Sequence, residues 1–133
     1  MRRDAAEPWA WIARAEQDRS AAKRLFTPGC VECSVIASLC QQAAEKMLKA
    51  FLVHRGVEPE RTHDLRLLLA LCGGLDPRFL AMADVVEPLN QYAVAARYPG
   101  PPEPSASEIV SAMEAVEMVR DLVLAIVPIS DEE

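Results

Sequence analysis

Two short segments carry residue types that could act on a phosphate or a base. His63 and Asp64 are adjacent where a helix is expected to begin, so the imidazole could meet free backbone N–H groups and a carboxylate that orients it. Arg97 and Tyr98 end a later predicted helix, where a guanidinium and a phenol could hold a phosphate or a base. Each pair also has a structural interpretation: Thr62 and Asp64 could simply cap one helix, and Arg97 could complement the negative end of the other.

A polar stripe interrupts a segment that is otherwise apolar around most of its circumference. In residues 38–51, which lie within a predicted helix, Gln41 or Gln42, Glu45 and Lys49 are spaced by three or four residues and therefore share one face. A helix with so much apolar surface is normally central in its fold. Its stripe of amides and charges must then lie at solvent, at a partner or at a site.

Basic residues cluster around this stripe although the chain is acidic. The formal net charge of -6 argues against sequence-independent binding to duplex nucleic acid, because that affinity comes from basic side chains that displace counterions. A local anion site remains compatible with an acidic chain. The clustered residues are Lys46, Lys49, His54, Arg55, Arg61, His63 and Arg66.

The remaining chemical motifs are incomplete. Cys30 and Cys33 have the spacing of a redox dithiol or of half a zinc site, but no second close pair of Cys or His accompanies them, and idle or buried thiols are the alternative. The chain has neither a Walker loop nor a GxGxxG motif. We therefore expect no metal and no cofactor.

The helical periodicity predicts an all-α fold. Four long amphipathic helices and one short one make an antiparallel four-helix up-and-down bundle with one additional short helix the economical arrangement, five helices in a single domain over residues 1–133. The predicted helices run from about Pro8 to Phe26, from about Glu32 to Arg55 with Gly56 at the end, from the N-cap Thr62 to Gly73 and Gly74, from Asp76 and Pro77 with a kink at Pro88, and from the capping box Ser105–Glu108 to Ile126.

The segments that would direct the chain to or across a membrane are missing from the sequence. Arg2 and Arg3 precede acidic residues rather than an apolar stretch, which excludes a secretory or twin-arginine signal, and no apolar run reaches the length of a membrane span. We expect a cytoplasmic protein without a membrane partner, in which the four cysteines are reduced.

Taken in order, several of these segments resemble the HEPN domain family. The resemblance rests on Trp11 with Ala15 and Asp18, the run Gln41–Ala50, the run Thr62–Leu65, Tyr92 and the run Arg97–Pro99. It implies a helical bundle that forms homodimers. It also implies a partner, a minimal nucleotidyltransferase protein, either as a toxin–antitoxin pair or as a two-component nucleotidyltransferase system. The stripe of Gln41, Gln42 and Glu45 would then lie at the dimer interface or a cleft.

The resemblance also implies contact with a nucleotide or RNA. Many HEPN proteins are metal-independent ribonucleases that use an Arg, a short polar spacer and a His, but no histidine follows Arg97 here. The catalytic residues therefore stay unassigned, with Arg97 and His63 as candidates. A binding module is our first interpretation; a ribonuclease with a degenerate or relocated site and a purely structural homodimer are the alternatives. The candidate nucleotide- or RNA-binding residues are Lys46, Lys49, His63, Asp64, Arg97 and Tyr98.

Overall fold

A computed structural model describes residues 7–95, 99–100 and 102–128, and this part of the chain contains helices and loops without a strand. The all-α prediction is confirmed. The helices are α1 (Pro8–Leu25), α2 (Cys33–His54), α3 (Leu65–Leu75), α4 (Ala83–Val86), α5 (Tyr92–Ala95) and α6 (Ala106–Ile126), with 3₁₀ segments at Pro77–Met82 and Glu87–Gln91.

The central helix of the bundle is α2, as the sequence predicts. It packs against α1 on one side and α6 on another, and α3 and α5 also contact it. Ile36, Met47, Leu48, Phe51 and Leu52 are among its fully buried side chains, because apolar residues occupy most of its circumference. A short connection joins α1 to α2, and the two helices run antiparallel, since Asp18 meets Lys46 and Trp11 meets Lys49. The helical bundle is confirmed.

The fourth helical segment, residues 77–95, is more broken than the single kink that Pro88 predicts. Short α-helices alternate with two 3₁₀ segments, and Pro88 stands in the first turn of the second. Proline has no backbone N–H to continue an α-helix but is tolerated in the first turn of a helix. The α-helix therefore ends just before Pro88, and a new segment begins there. The predicted start is confirmed, since Asp76 caps the segment by accepting a hydrogen bond from the backbone N–H of Arg78 (3.0 Å).

The ends of the helices follow local sequence signals except at the two ends of α3. Ser105 and Glu108 form the predicted capping box, and Gly56 adopts φ +80° just after α2. The predicted stop of α3 at Gly73 is wrong, because the helix continues through both glycines to Leu75. Its predicted N-cap is also wrong: Asp64, not Thr62, caps α3.

None of the helices in the described ranges has the length and apolar character needed to cross a membrane.

Candidate functional site

The polar stripe of α2 points into the protein. Gln41, Glu45 and Lys49 are 1%, 5% and 7% exposed, which makes them the buried polar residues of the described core. They stand four residues apart and therefore line up along one face of the helix. Gln42 is not part of this buried line; it is half-buried and donates to Ser38 Oγ (3.2 Å). Buried polar groups are costly unless they are paired, so the partners of these three residues define the site.

The stripe holds the loop that carries His63. Gln41 Nε2 donates to the backbone carbonyl of His63 (2.9 Å), and the Nδ1 of the His63 ring lies 2.9 Å from Glu45 Oε1. The second carboxylate oxygen of Glu45 accepts from Lys49 Nζ (2.9 Å). One buried carboxylate is therefore shared by an ammonium and an imidazole, and both of its oxygens have partners.

The imidazole itself faces outward. The side chain of His63 is 61% exposed, whereas that of Glu45 is 7% exposed. With Glu45 ionised, Nδ1 donates to it, and Nε2 is the ring nitrogen left for a ligand. Glu45 and His63 have the arrangement of a carboxylate that orients an imidazole, which is suited to acid–base chemistry or to contact with a phosphate.

Asp64 and Asn90 fix the loop from the other side. Asp64 Oδ1 accepts from the backbone N–H of Arg66 (3.0 Å) and from Asn90 Nδ2 (3.0 Å), while the N–H of Leu65 donates to Asn90 Oδ1 (2.8 Å). Thr62 Oγ1 accepts from the N–H of Asp64 (3.0 Å), so Thr62 supports the turn before the cap. Asn90 belongs to the fourth helical segment. Its hydrogen bond to Asp64 holds that residue at the start of α3, where Asp64 and not Thr62 is the N-cap.

The carboxyl group of Asp64 stays ionised. Burial acts to raise its pKa, but the hydrogen bonds from Asn90 and from the backbone of Arg66 together outweigh this effect and lower the pKa below its usual 3.8. Arg66 adds weaker attraction, since its Nε lies 3.7 Å from Asp64 and its Nη1 3.7 Å from Glu87. The result is a fixed negative charge beside His63.

Both candidate lysines are paired within the chain. Lys46 Nζ lies 2.7 Å from Asp18 of α1, and Lys49 Nζ, besides its contact with Glu45, lies 5.7 Å from the centre of the Trp11 ring. These contacts attach α1 to the stripe. Trp11 and Asp18 are residues on which the family resemblance rests, and both contact lysines of α2.

Arg97 and Tyr98 lie outside the described residues, so their place relative to His63 stays a prediction. Next to the His63 loop there is an open cleft of about 320 Å³, lined by Arg66, Glu87, Pro88, Asn90 and Gln91. It is a polar surface depression of the size a small ligand occupies.

The cysteines form no second site. All four are free thiols; Cys30 and Cys33 are half-buried, and burial together with the neighbouring Cys30 raises the pKa of Cys33. Burial raises the pKa of Cys40 and of Cys72 to about 12. Within the described ranges no three His, Cys, Asp or Glu side chains converge on a possible metal position.

Sequence reasoning identified Glu45, Lys49, His63 and Asp64 but missed Asn90. An asparagine two residues after a proline in a helical segment is an ordinary residue, and the sequence gives no signal that the Asn90 amide reaches the start of α3. Arg66 was recognised as part of the basic cluster only.

The fold and the site together define a class of protein: an all-helical bundle whose central helix holds an exposed histidine through a buried carboxylate. The model of the HEPN domain family matches residues 8–126, which is most of the chain. The protein therefore belongs to the HEPN domain family. A comparison with curated proteins finds no match.

Proposed function

We propose that this protein is an HEPN-type module that binds a nucleotide or an RNA at His63 and acts with a minimal nucleotidyltransferase partner. One observation carries the proposal: an imidazole that is 61% exposed is held by the buried carboxylate of Glu45. Two further buried groups support this contact, since Gln41 donates to the backbone carbonyl of His63 and Lys49 pairs with Glu45. A surface side chain needs no such support for stability. Because burying a carboxylate, an ammonium and an amide is costly, this arrangement favours a residue whose position matters for binding.

The surroundings of His63 suit an anionic ligand of modest charge. A protonated imidazole donates to phosphate oxygens, and the Arg66 guanidinium, 65% exposed and only loosely paired at 3.7 Å, is free to turn toward a ligand. In this proposal Arg97 and Tyr98 complete the binding surface. Lys46, Lys49 and Asp64 position it, because their charges already have partners inside the chain.

Calorimetric titration with ATP, GTP and short single-stranded RNA tests the binding site. His63→Ala should weaken binding of the recognised ligand at least about tenfold, the loss of one charge-assisted contact. His54→Ala is the matched control, since His54 is the other histidine of the chain and is also exposed. Binding that is absent from the unmodified protein, or that survives His63→Ala unchanged, would refute the proposal.

The partner and the oligomeric state are proposed from the family alone. We propose a homodimer that associates with a minimal nucleotidyltransferase encoded beside it, in a toxin–antitoxin or two-component system. Co-expression of the two reading frames followed by size-exclusion chromatography should yield one complex. Separate elution of the two proteins would contradict the proposed partner, and sedimentation of this chain as a monomer would contradict the proposed homodimer.

A ribonuclease is the second candidate, and the 2.9 Å contact between Glu45 and His63 favours it. A carboxylate-oriented imidazole could take a proton from a ribose 2′-hydroxyl, with Arg97 assisting the phosphate. The unmodified protein should then cleave total RNA in the presence of a metal chelator, and the His63→Ala and Arg97→Ala variants should not. If neither cleavage nor binding is found, the purely structural dimer is the function that remains.

A further inference from the structure

A groove separates the fourth helical segment from α6 and borders the polar cleft beside His63 at Pro88 and Gln91. Its volume is about 460 Å³. Tyr92, Ala112 and Ala115 are the buried residues among those that line it. Residues of α4 and of the 3₁₀ segment Glu87–Gln91 form one wall, and one face of α6 forms the other.

Apolar side chains stand exposed on both walls. Val85 on α4 is 37% exposed and Met118 on α6 is 44% exposed, and both line the groove together with the exposed Pro88. Single exposed apolar residues are ordinary, but two from different elements that border one depression form a continuous surface. Methionine adapts its shape to what it packs against, which suits a binding surface.

The charge of the groove has one sign. Asp84, Glu108 and Glu114 line it, and the described residues of its lining include neither lysine nor arginine. Glu108 gives one oxygen to the N–H of Ser105 (2.7 Å), whereas Asp84 and Glu114 have no ion pair or hydrogen bond to the described part of the chain. This uncompensated negative charge attracts a cationic partner and repels a polynucleotide.

We propose that this groove binds a basic amphipathic helix of a partner protein. A trough between two helical walls is the shape that receives a helix, with apolar anchors three or four residues apart against Val85 and Met118 and with lysines or arginines beside the carboxylates. A short polyamine would match the charge but leave the apolar walls uncovered. A second copy of this chain would bring a net charge of -6 toward three carboxylates.

The proposal is independent of ligand binding at His63. Of the residues that the structure describes, the groove and the polar cleft beside His63 share only Pro88 and Gln91, which lie on the 3₁₀ segment between them. Substitutions on Asp84, Glu114 or Met118 therefore change the groove without removing a residue of the His63 network.

Fluorescence anisotropy with a labelled synthetic helix of Leu and Lys, its leucines at helical spacing, tests the groove. We expect a Kd in the range of about 1–100 µM and a loss of at least about tenfold in Asp84→Lys/Glu114→Lys. Glu60→Lys/Asp121→Lys makes the same change in net charge at exposed positions outside the groove and should alter the Kd less than about twofold. Met118→Ser should weaken binding while leaving the charge unchanged.

Each other result contradicts the proposal. Equal losses in the groove and control variants would mean nonspecific attraction, and equal binding of a Leu and Glu helix or of a scrambled Leu and Lys peptide would exclude an amphipathic basic ligand. Spermidine that competes with comparable affinity would make the groove a polyamine site. If sedimentation shows a dimer that Met118→Ser dissociates, a second copy occupies the groove. Failure of the helix to bind at all would also overturn the inference.

Discussion

Glu45 is the residue on which the site depends, because its buried carboxylate has two partners. Removing it by Glu45→Ala leaves the ammonium of Lys49 buried and unpaired, and breaking a buried ion pair in this way typically costs about 3–5 kcal/mol. We expect a loss of that size in the free energy of unfolding measured by urea denaturation. The same variant should weaken the ligand binding proposed at His63.

The double variant Glu45→Gln/Lys49→Met separates charge from packing. With neither charge buried, the desolvation penalty disappears, so most of the lost stability should return. Ligand binding should not recover, since the glutamine replaces the carboxylate that orients the imidazole. Recovery of both properties would mean that the network only stabilises the fold.

Cys40 and Cys72 should make the protein sensitive to alkali. Their pKa rises from 9.0 to about 12 in the folded state, so above pH 9 the unfolded chain releases protons that the folded chain retains. Their contribution to stability is therefore complete below pH 9 and is lost as the pH rises toward about 12. Urea midpoints on either side of pH 9 measure this fall.

Cys40→Ala/Cys72→Ala is the test of that assignment. The variant should be less stable at neutral pH but should lose less stability per pH unit above pH 9, because its folded and unfolded states then differ less in bound protons. Cys30→Ala/Cys33→Ala removes two half-buried thiols and serves as the control. An unchanged alkaline slope in Cys40→Ala/Cys72→Ala would assign the effect to other groups.

At the scale of elements, Asn90 joins the fourth helical segment to the start of α3. Asn90→Ala removes its hydrogen bonds to the N–H of Leu65 and to Asp64, which should cost about 1–3 kcal/mol because Leu65 is buried and its N–H loses its partner. Thermal denaturation measures the loss. Gln91→Ala is the control, since among the described residues the Gln91 amide donates to the carbonyl of Pro88 alone, on an exposed surface. Equal losses in the two variants would contradict a linking role for Asn90.

The elements also show what the sequence determines by itself. The central position of α2, the capping box at Ser105 and the left-handed Gly56 are confirmed because each depends on residues close in the chain. The N-cap of α3 and the breaks in residues 77–95 were predicted wrongly or incompletely. They depend on contacts between distant segments, such as Asn90 with Asp64, and local propensity does not contain them.

The candidate site, like the helices, was predicted only in its local features. Residue types and spacing identified Glu45, Lys49 and His63 as members of one region, but a stripe facing solvent or a partner fitted the pattern as well as one facing a loop of the same chain. Only the folded position of His63 shows that the stripe is internal. Local sequence patterns do not show this contact, because Gln41 and His63 are distant in the chain and meet only when the loop between α2 and α3 packs against α2.

At the scale of the whole molecule, a chain of net charge -6 can offer a polynucleotide few cations. If His63, Arg66 and Arg97 are the phosphate contacts, about three counterions are released from single-stranded RNA, and the slope of log K against log salt should be about -2.1. Arg97→Ala should reduce its magnitude, to about -1.4, whereas Arg78→Ala, which removes a guanidinium already paired with Asp76 at 2.8 Å, should leave the slope unchanged. Anisotropy titrations over a salt series measure the slope. A value steeper than about -3 would require an extended basic surface, and the proposed site at His63 would then be too small to account for binding.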